Sequence, residues 1–136
     1  MRFIDTNVFI RYLTGDDPVK EGASRLLMER LAAGEEEALT SESVVAENIY
    51  VLTSRSHYGL TREDAVARLL PAVQARGLRL PDKAVVLRAF DIYATYPFLD
   101  FEDALSVAHM ASRDVREIVS HDLGFDHVSE VTRVEP

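Results

Sequence analysis

Four acids stand in apolar surroundings. Asp5 follows Phe3-Ile4, Glu47 lies among Val44, Val45, Ile49 and Val51, Asp103 precedes Ala104-Leu105, and Asp122 follows Ile118-Val119-Ser120-His121. A carboxylate held against apolar side chains needs a cation, a hydrogen-bond donor or water, because an unpaired buried charge is too costly to keep. Carboxylates gathered together also drive one another toward protonation unless a cation joins them. Oxygen-only ligands suit a hard divalent ion that retains waters, Mg2+ or Mn2+. The chemistry such a set supports is metal-assisted hydrolysis at phosphorus.

Each acid also has a plainer reading. Asp5, where a short apolar strand meets a helix, can serve as a helix cap, with Asn7 fixing it or capping the turn. It equally sits where ligands bind in an open parallel sheet, at a strand's carboxyl end. Val44, Glu47 and Val51 share a helical face at spacings of three and four. Glu47 is therefore either a ligand in an apolar stripe or a stripe-edge glutamate reaching solvent. Asp100 can cap the helix that follows, with Glu102 and Asp103 as favourable first-turn charges. That leaves unexplained why Asp103 shares a row with Val107 and Met110. Asp122 can be a turn aspartate. His109, His121 and His127 lack the tight spacing of a zinc site.

The chain has 136 residues, enough for a single domain (residues 1–136) with a full core. Its net charge of −8 argues against a general nucleic-acid binder and suits a basic protein partner. The absence of cysteine excludes disulfides and thiol catalysis and is consistent with a cytoplasmic location. No signal peptide is expected, and no apolar run approaches the roughly 20 residues a membrane helix needs. There is neither a Gly-rich phosphate loop nor a G-x-S-x-G serine.

The elements that must position the acids read as alternating strands and helices. Strands are expected over Arg2–Asp5, Ala38–Thr40, Leu78–Leu80, Glu117–Ser120 and Val131–Val134. Helices are expected over Thr6–Leu13, from Pro18 to Gly34, over Val44–Ser54, from Thr61 to Gly77, over Asp82–Thr95 and over Phe101–Ser112. The second helix presents Ala23, Leu26, Leu27 and Leu31 as its apolar stripe. Ser41 or Ser43 caps the third, and Thr61 the fourth. Helices of this length between short apolar strands predict an α/β fold with a parallel sheet.

In order along the chain, these motifs resemble the PIN-domain ribonucleases, specifically the toxins of VapBC-type toxin–antitoxin pairs. Phe3-Ile4-Asp5-Thr6-Asn7-Val8-Phe9-Ile10-Arg11-Tyr12-Leu13-Thr14-Gly15-Asp16-Asp17-Pro18 looks like that family's opening. Val44-Val45-Ala46-Glu47-Asn48-Ile49 looks like its second acidic helix, Asp100-Phe101-Glu102-Asp103-Ala104-Leu105 its third motif, and Val119-Ser120-His121-Asp122 its last. Here His121 stands where an apolar or aromatic residue is usual, and Leu123-Gly124 lacks the usual basic residue. The resemblance implies a three-layer α/β/α sandwich around a parallel sheet of four or five strands, a homodimer, and an antitoxin whose C-terminal segment enters the active-site groove. It implies one or two Mg2+ or Mn2+ ions held by Asp5, Glu47, Asp103 and Asp122, the last directly or through water, with Asp100 as an accessory acid. Thr6, Asn7 and Ser120 would support those ligands. Arg11, Arg55 and Arg113 are candidates for phosphate contacts on an RNA substrate. Two other readings stay open: a magnesium-dependent phosphatase or phosphotransferase with Asp5 as nucleophile, and a non-catalytic acidic domain that binds a basic protein.

Overall fold

A computed structural model describes all residues, Met1–Pro136. The order of elements is β1 (Arg2–Phe3), α1 (Thr6–Thr14), α2 (Pro18–Ala33), β2 (Ala38–Leu39), α3 (Glu42–Thr53), α4 (Arg62–Val73), β3 (Leu78–Arg79), α5 (Lys83–Thr95), α6 (Phe101–Ser112), β4 (Glu117–Val119), a 3-10 helix over Leu123–His127, and β5 (Thr132–Val134). The fold class is the expected one, α/β with parallel pairing. Its contacts divide into two compact units, Met1–Lys83 and Ala84–Pro136.

In the first unit, β1, β2 and β3 form a parallel sheet with β2 in the middle. Arg2 is paired with Ala38, and Ala38 with Leu78. Parallel neighbours need long crossovers, and the two helical pairs α1–α2 and α3–α4 supply them. The helix ends are set locally. Asp17 accepts from Lys20 N with Pro18 in the first turn, Ser41 accepts from Val44 N, and Thr61 accepts from Asp64 N. Fully buried Phe9, Leu31, Leu52, Leu69 and Val73 make the core, each stabilising the unit by about 1.5–3 kcal/mol. Gly77 allows a close backbone approach: a Cβ there would lie 2.0 Å from the Glu36 carbonyl oxygen.

The α2 stripe departs from expectation. Its buried residues are Ser24, Met28 and Leu31, whereas Leu26 is half exposed and Ala23 exposed. Both sets have helical spacing, and the packed face includes a serine that a purely apolar count passes over. The α4 helix ends at Val73 with Gln74 as its cap, before Gly77. The strands are two or three residues long, shorter at their edges than their apolar flanks suggest.

In the second unit, β4 and β5 pair in parallel with Glu117 opposite Thr132. The 3-10 helix on their connection was not anticipated. Leu99, Val107, Phe125, Val128 and Val131 form a buried cluster, with Ile92, Tyr96, Met110 and Ile118 packed against it. Phe90 stacks on Phe101 at 5.3 Å between ring centres, and Tyr93 meets Phe101 edge-on at 5.6 Å. This packing fixes the start of α6, and with it Asp100 and Asp103.

Candidate active site

Asp5 occupies the cap position of α1, in extended conformation, yet its side chain makes no capping hydrogen bond. Its carboxylate is left uncommitted, which a capping role alone does not explain. One turn into α3, Glu47 receives a hydrogen bond from the Thr6 hydroxyl, 2.8 Å to Oε2. Thr6 is itself buried, so this bond holds the carboxylate from below. Asp5, Thr6, Asn7, Arg11 and Glu47 line one open cleft of about 300 Å³, with His57 and Tyr58 at its side. Glu47 is exposed. The neighbouring Asn48 is the polar residue buried in α3.

Arg11 stands in this cleft under restraint. Its Nη1 donates to both carboxylate oxygens of Asp16, at 2.9 and 3.0 Å. The Tyr58 hydroxyl donates to the same carboxylate at 2.5 Å across 42 residues of sequence. These two donors, the tyrosine first, hold Asp16 below the usual carboxylate range. Asp16 and Tyr58 are absent from the sequence-derived candidates. Asp16 lies in a helix-breaking run and Tyr58 in a loop, and nothing local links them.

In the second unit, Asp100 caps α6 by accepting from Asp103 N at 2.7 Å. Asp103 is half buried. Burial, and then the charges of Asp100 and Asp122, push its carboxyl up to about 6 from the ordinary 3.8. Asp122 accepts from Gly124 N at 2.8 Å, and its own N–H donates to the Ser120 hydroxyl at 3.0 Å. The Ser120 carbonyl is held in turn by Arg133 Nη1 at 2.9 Å. Arg133 is anchored by Glu135 and Asp126 at 2.6 and 3.0 Å. Ser120 therefore holds the backbone at Asp122, and Arg133, which is absent from the sequence-derived candidates, braces Ser120 in turn.

Other candidates are tied elsewhere or stand apart. Arg113 donates to Ser112, to His109 Nδ1 and to the His109 carbonyl at the end of α6, so it serves that helix end. Arg55 is exposed. His121 pairs with Glu135 at 3.1 Å on the surface, and His127 lies edge-on to Phe98.

No group of three or more His, Asp or Glu side chains is gathered closely enough to hold a metal ion as it stands. The donor chemistry nevertheless fits a hard divalent cation. The ligand candidates are all oxygens, Asp5 is uncommitted, and Asp103 is crowded by two like charges that a cation would offset.

Residues 2–131 match the PIN domain. The chain belongs to the PIN-domain family. Two curated relatives are each 30% identical over 138 residues, covering 98% of this chain and 99% of their own length. They are VapC ribonuclease Mb1869c of Mycobacterium bovis and ribonuclease VapC13 of Mycobacterium tuberculosis. The parallel α/β architecture is consistent with the PIN fold, and membership in this family supports a ribonuclease-type activity in general. No helix is long and apolar enough to cross a membrane.

Proposed function

We propose that this PIN-domain protein is a divalent-metal-dependent endoribonuclease and the toxin of a toxin–antitoxin pair. Residues 1–136 act as one domain in this reading. Asp5, Glu47, Asp103 and Asp122 are its metal ligands, with Asp100 accessory. The observation that carries the reading is Asp5, at a helix-capping position with its carboxylate unspent and in one cleft with Glu47. The crowding that raises Asp103 supports it from the other unit.

A bound Mg2+ or Mn2+ would supply charge neutralisation at phosphorus and an acidified water. The chain's own residues do the positioning. Thr6 fixes the rotamer of Glu47, and Ser120 and Arg133 hold the turn that presents Asp122. Asp103, pressed by burial and by the charges of Asp100 and Asp122, is the carboxylate whose ionised form a bound cation would favour most. Arg11 offers its free guanidinium edge to a substrate phosphate.

A cytoplasmic site of action, a homodimer and a cognate antitoxin belong to the same reading. The net charge of −8 suits a basic antitoxin segment. The test is cleavage of a mixed RNA pool with manganese, with chelator, and with Asp5→Asn. Chelation and the substitution should each abolish cutting. An Asp5→Asn protein that cuts as fast as the parent would remove Asp5 from the ligand set. A covalent aspartyl-phosphate on Asp5 would favour the phosphatase reading instead.

A further inference from the structure

The cleft that holds Asp5 and Glu47 has a neighbour. A second cleft, of about 290 Å³, is lined by Asn7, Val8, Arg11, Lys20, Ala23 and Ser24. Asn7 and Arg11 line both clefts, so the two meet along α1. Asn7 and Arg11 are four residues apart on α1, and Lys20 and Ser24 four apart on α2. Each pair therefore shares one helical face, and the second cleft lies between two polar rows.

Three features give this cleft the character of an anion site. Ser24 is a buried polar residue, with 7% of its surface exposed, that lines the cleft and places a hydroxyl in its wall. Arg11 spends only Nη1 on Asp16, leaving Nη2 and Nε as donors, and the Tyr58–Asp16 bond holds that geometry. Planar guanidinium donors match phosphate oxygens. Lys20 is largely exposed and only loosely paired, 4.0 Å from Asp17.

We propose that Arg11, Lys20 and Ser24 hold the phosphate of a nucleotide flanking the scissile bond, so that an RNA strand runs from the acidic cleft across Arg11 into the second one. This rests on the ribonuclease reading and adds to it a direction for the strand and a second subsite. An acidic peptide would also suit the second cleft, but not its continuation past Asp5 and Glu47. A polyanion that enters with divalent cations suits both. Asp16 and Tyr58 are positioning residues here, acting through Arg11.

The test uses the full chain, a labelled unstructured oligoribonucleotide, and a dinucleoside monophosphate, whose single phosphodiester cannot occupy both clefts. Lys20→Ala should weaken binding of the longer RNA about three- to tenfold and lower the slope of log affinity against log salt by about 1. Ser24→Leu, which fills the cleft, should also weaken binding of the longer RNA, and in both variants the dinucleoside monophosphate should lose less. Manganese titration of each variant reports separately on the acidic cleft. Parent-like affinity and salt slope for the longer RNA in both variants would overturn the subsite while leaving the nuclease reading in place. So would a loss confined to an acidic peptide. A parent that neither binds nor cuts RNA with manganese present would overturn the nuclease reading, and the subsite with it.

Discussion

The two units hold their carboxylates in different ways. In Met1–Lys83, Asp5 is uncommitted, Glu47 receives one hydroxyl, and Arg11 lines the same cleft. In Ala84–Pro136, burial, and then the charges of Asp100 and Asp122, hold Asp103 well above the ordinary aspartate range. A proton or a cation would offset the burial and like charge that press on Asp103, whereas Asp5 and Glu47 differ in hydrogen bonding alone. The difference teaches where a metal-free PIN domain stores its instability. It lies in the later acids, although the opening Asp5 is the most conspicuous acid in the sequence.

Substitution at the ligands should break the comparison most forcefully. Asp5→Asn and Asp103→Asn should each lower divalent-dependent RNA cleavage by on the order of a thousandfold, because each removes a ligand of the proposed metal site. Their metal-free stabilities should diverge. Asp103→Asn relieves repulsion and should raise the melting temperature, whereas Asp5→Asn gives up no hydrogen bond and should change it little. Equal melting shifts for the two variants would mean that the two units do not differ as described.

The pH dependence sharpens the same contrast. The folded state raises Asp103 to about 6 from 3.8, so it favours the protonated form. The stabilisation from that proton is complete below the ordinary value and is lost as pH rises through about 6. The metal-free protein should therefore gain stability as pH falls from neutrality through about 6, and Asp103→Asn should lose that component. Manganese affinity should run the other way, weakening over the same range as protons compete for the carboxylate. Calorimetric titration and thermal melts across this range check both signs.

Smaller effects belong to the supporting groups. Thr6→Val removes the one donor on Glu47, and manganese affinity should fall about tenfold. Tyr58→Phe leaves Arg11 paired to Asp16 but unbraced from the other loop. RNA binding should weaken a few-fold while manganese binding holds, and loss of both together would place Tyr58 in the metal site instead.

What the sequence made legible follows from distance along the chain. Caps and breakers act within a turn, so Asp17-Pro18, Ser41, Thr61 and Asp100 could be read where they stand. Asp5 and Glu47, which line one cleft, and Asp103 and Asp122, whose charges interact, could be singled out because an acid in apolar surroundings needs a reason. The stripe of α2 was not, since two sets of residues satisfy the helical period and only packing selects the one containing Ser24. The Tyr58–Asp16 brace spans 42 residues, and the hold of Arg133 on Ser120 spans 13. Such pairings arise only when the fold brings loops together.

Asn48 offers the finest test, because it lies next to Glu47 in α3 and is fully buried. Its Nδ2 donates to the Val44 carbonyl at 2.9 Å within the same helix, while its Oδ1 has no partner. The bond contributes about 1 kcal/mol, and an unsatisfied buried acceptor costs about 1–3 kcal/mol. Leucine at this position loses the first and removes the second while filling a similar volume. Asn48→Leu should therefore match or exceed the parent in stability by about 1 kcal/mol, and Asn48→Ala, which leaves a cavity, should fall below it. Chemical denaturation of the three proteins gives the order directly. A leucine variant clearly less stable than the parent would mean that Oδ1 is satisfied in solution, most simply by a buried water. The floor beneath Glu47 would then be a wet one, and the first unit would hold its acids by hydration as well as by the Thr6 hydroxyl.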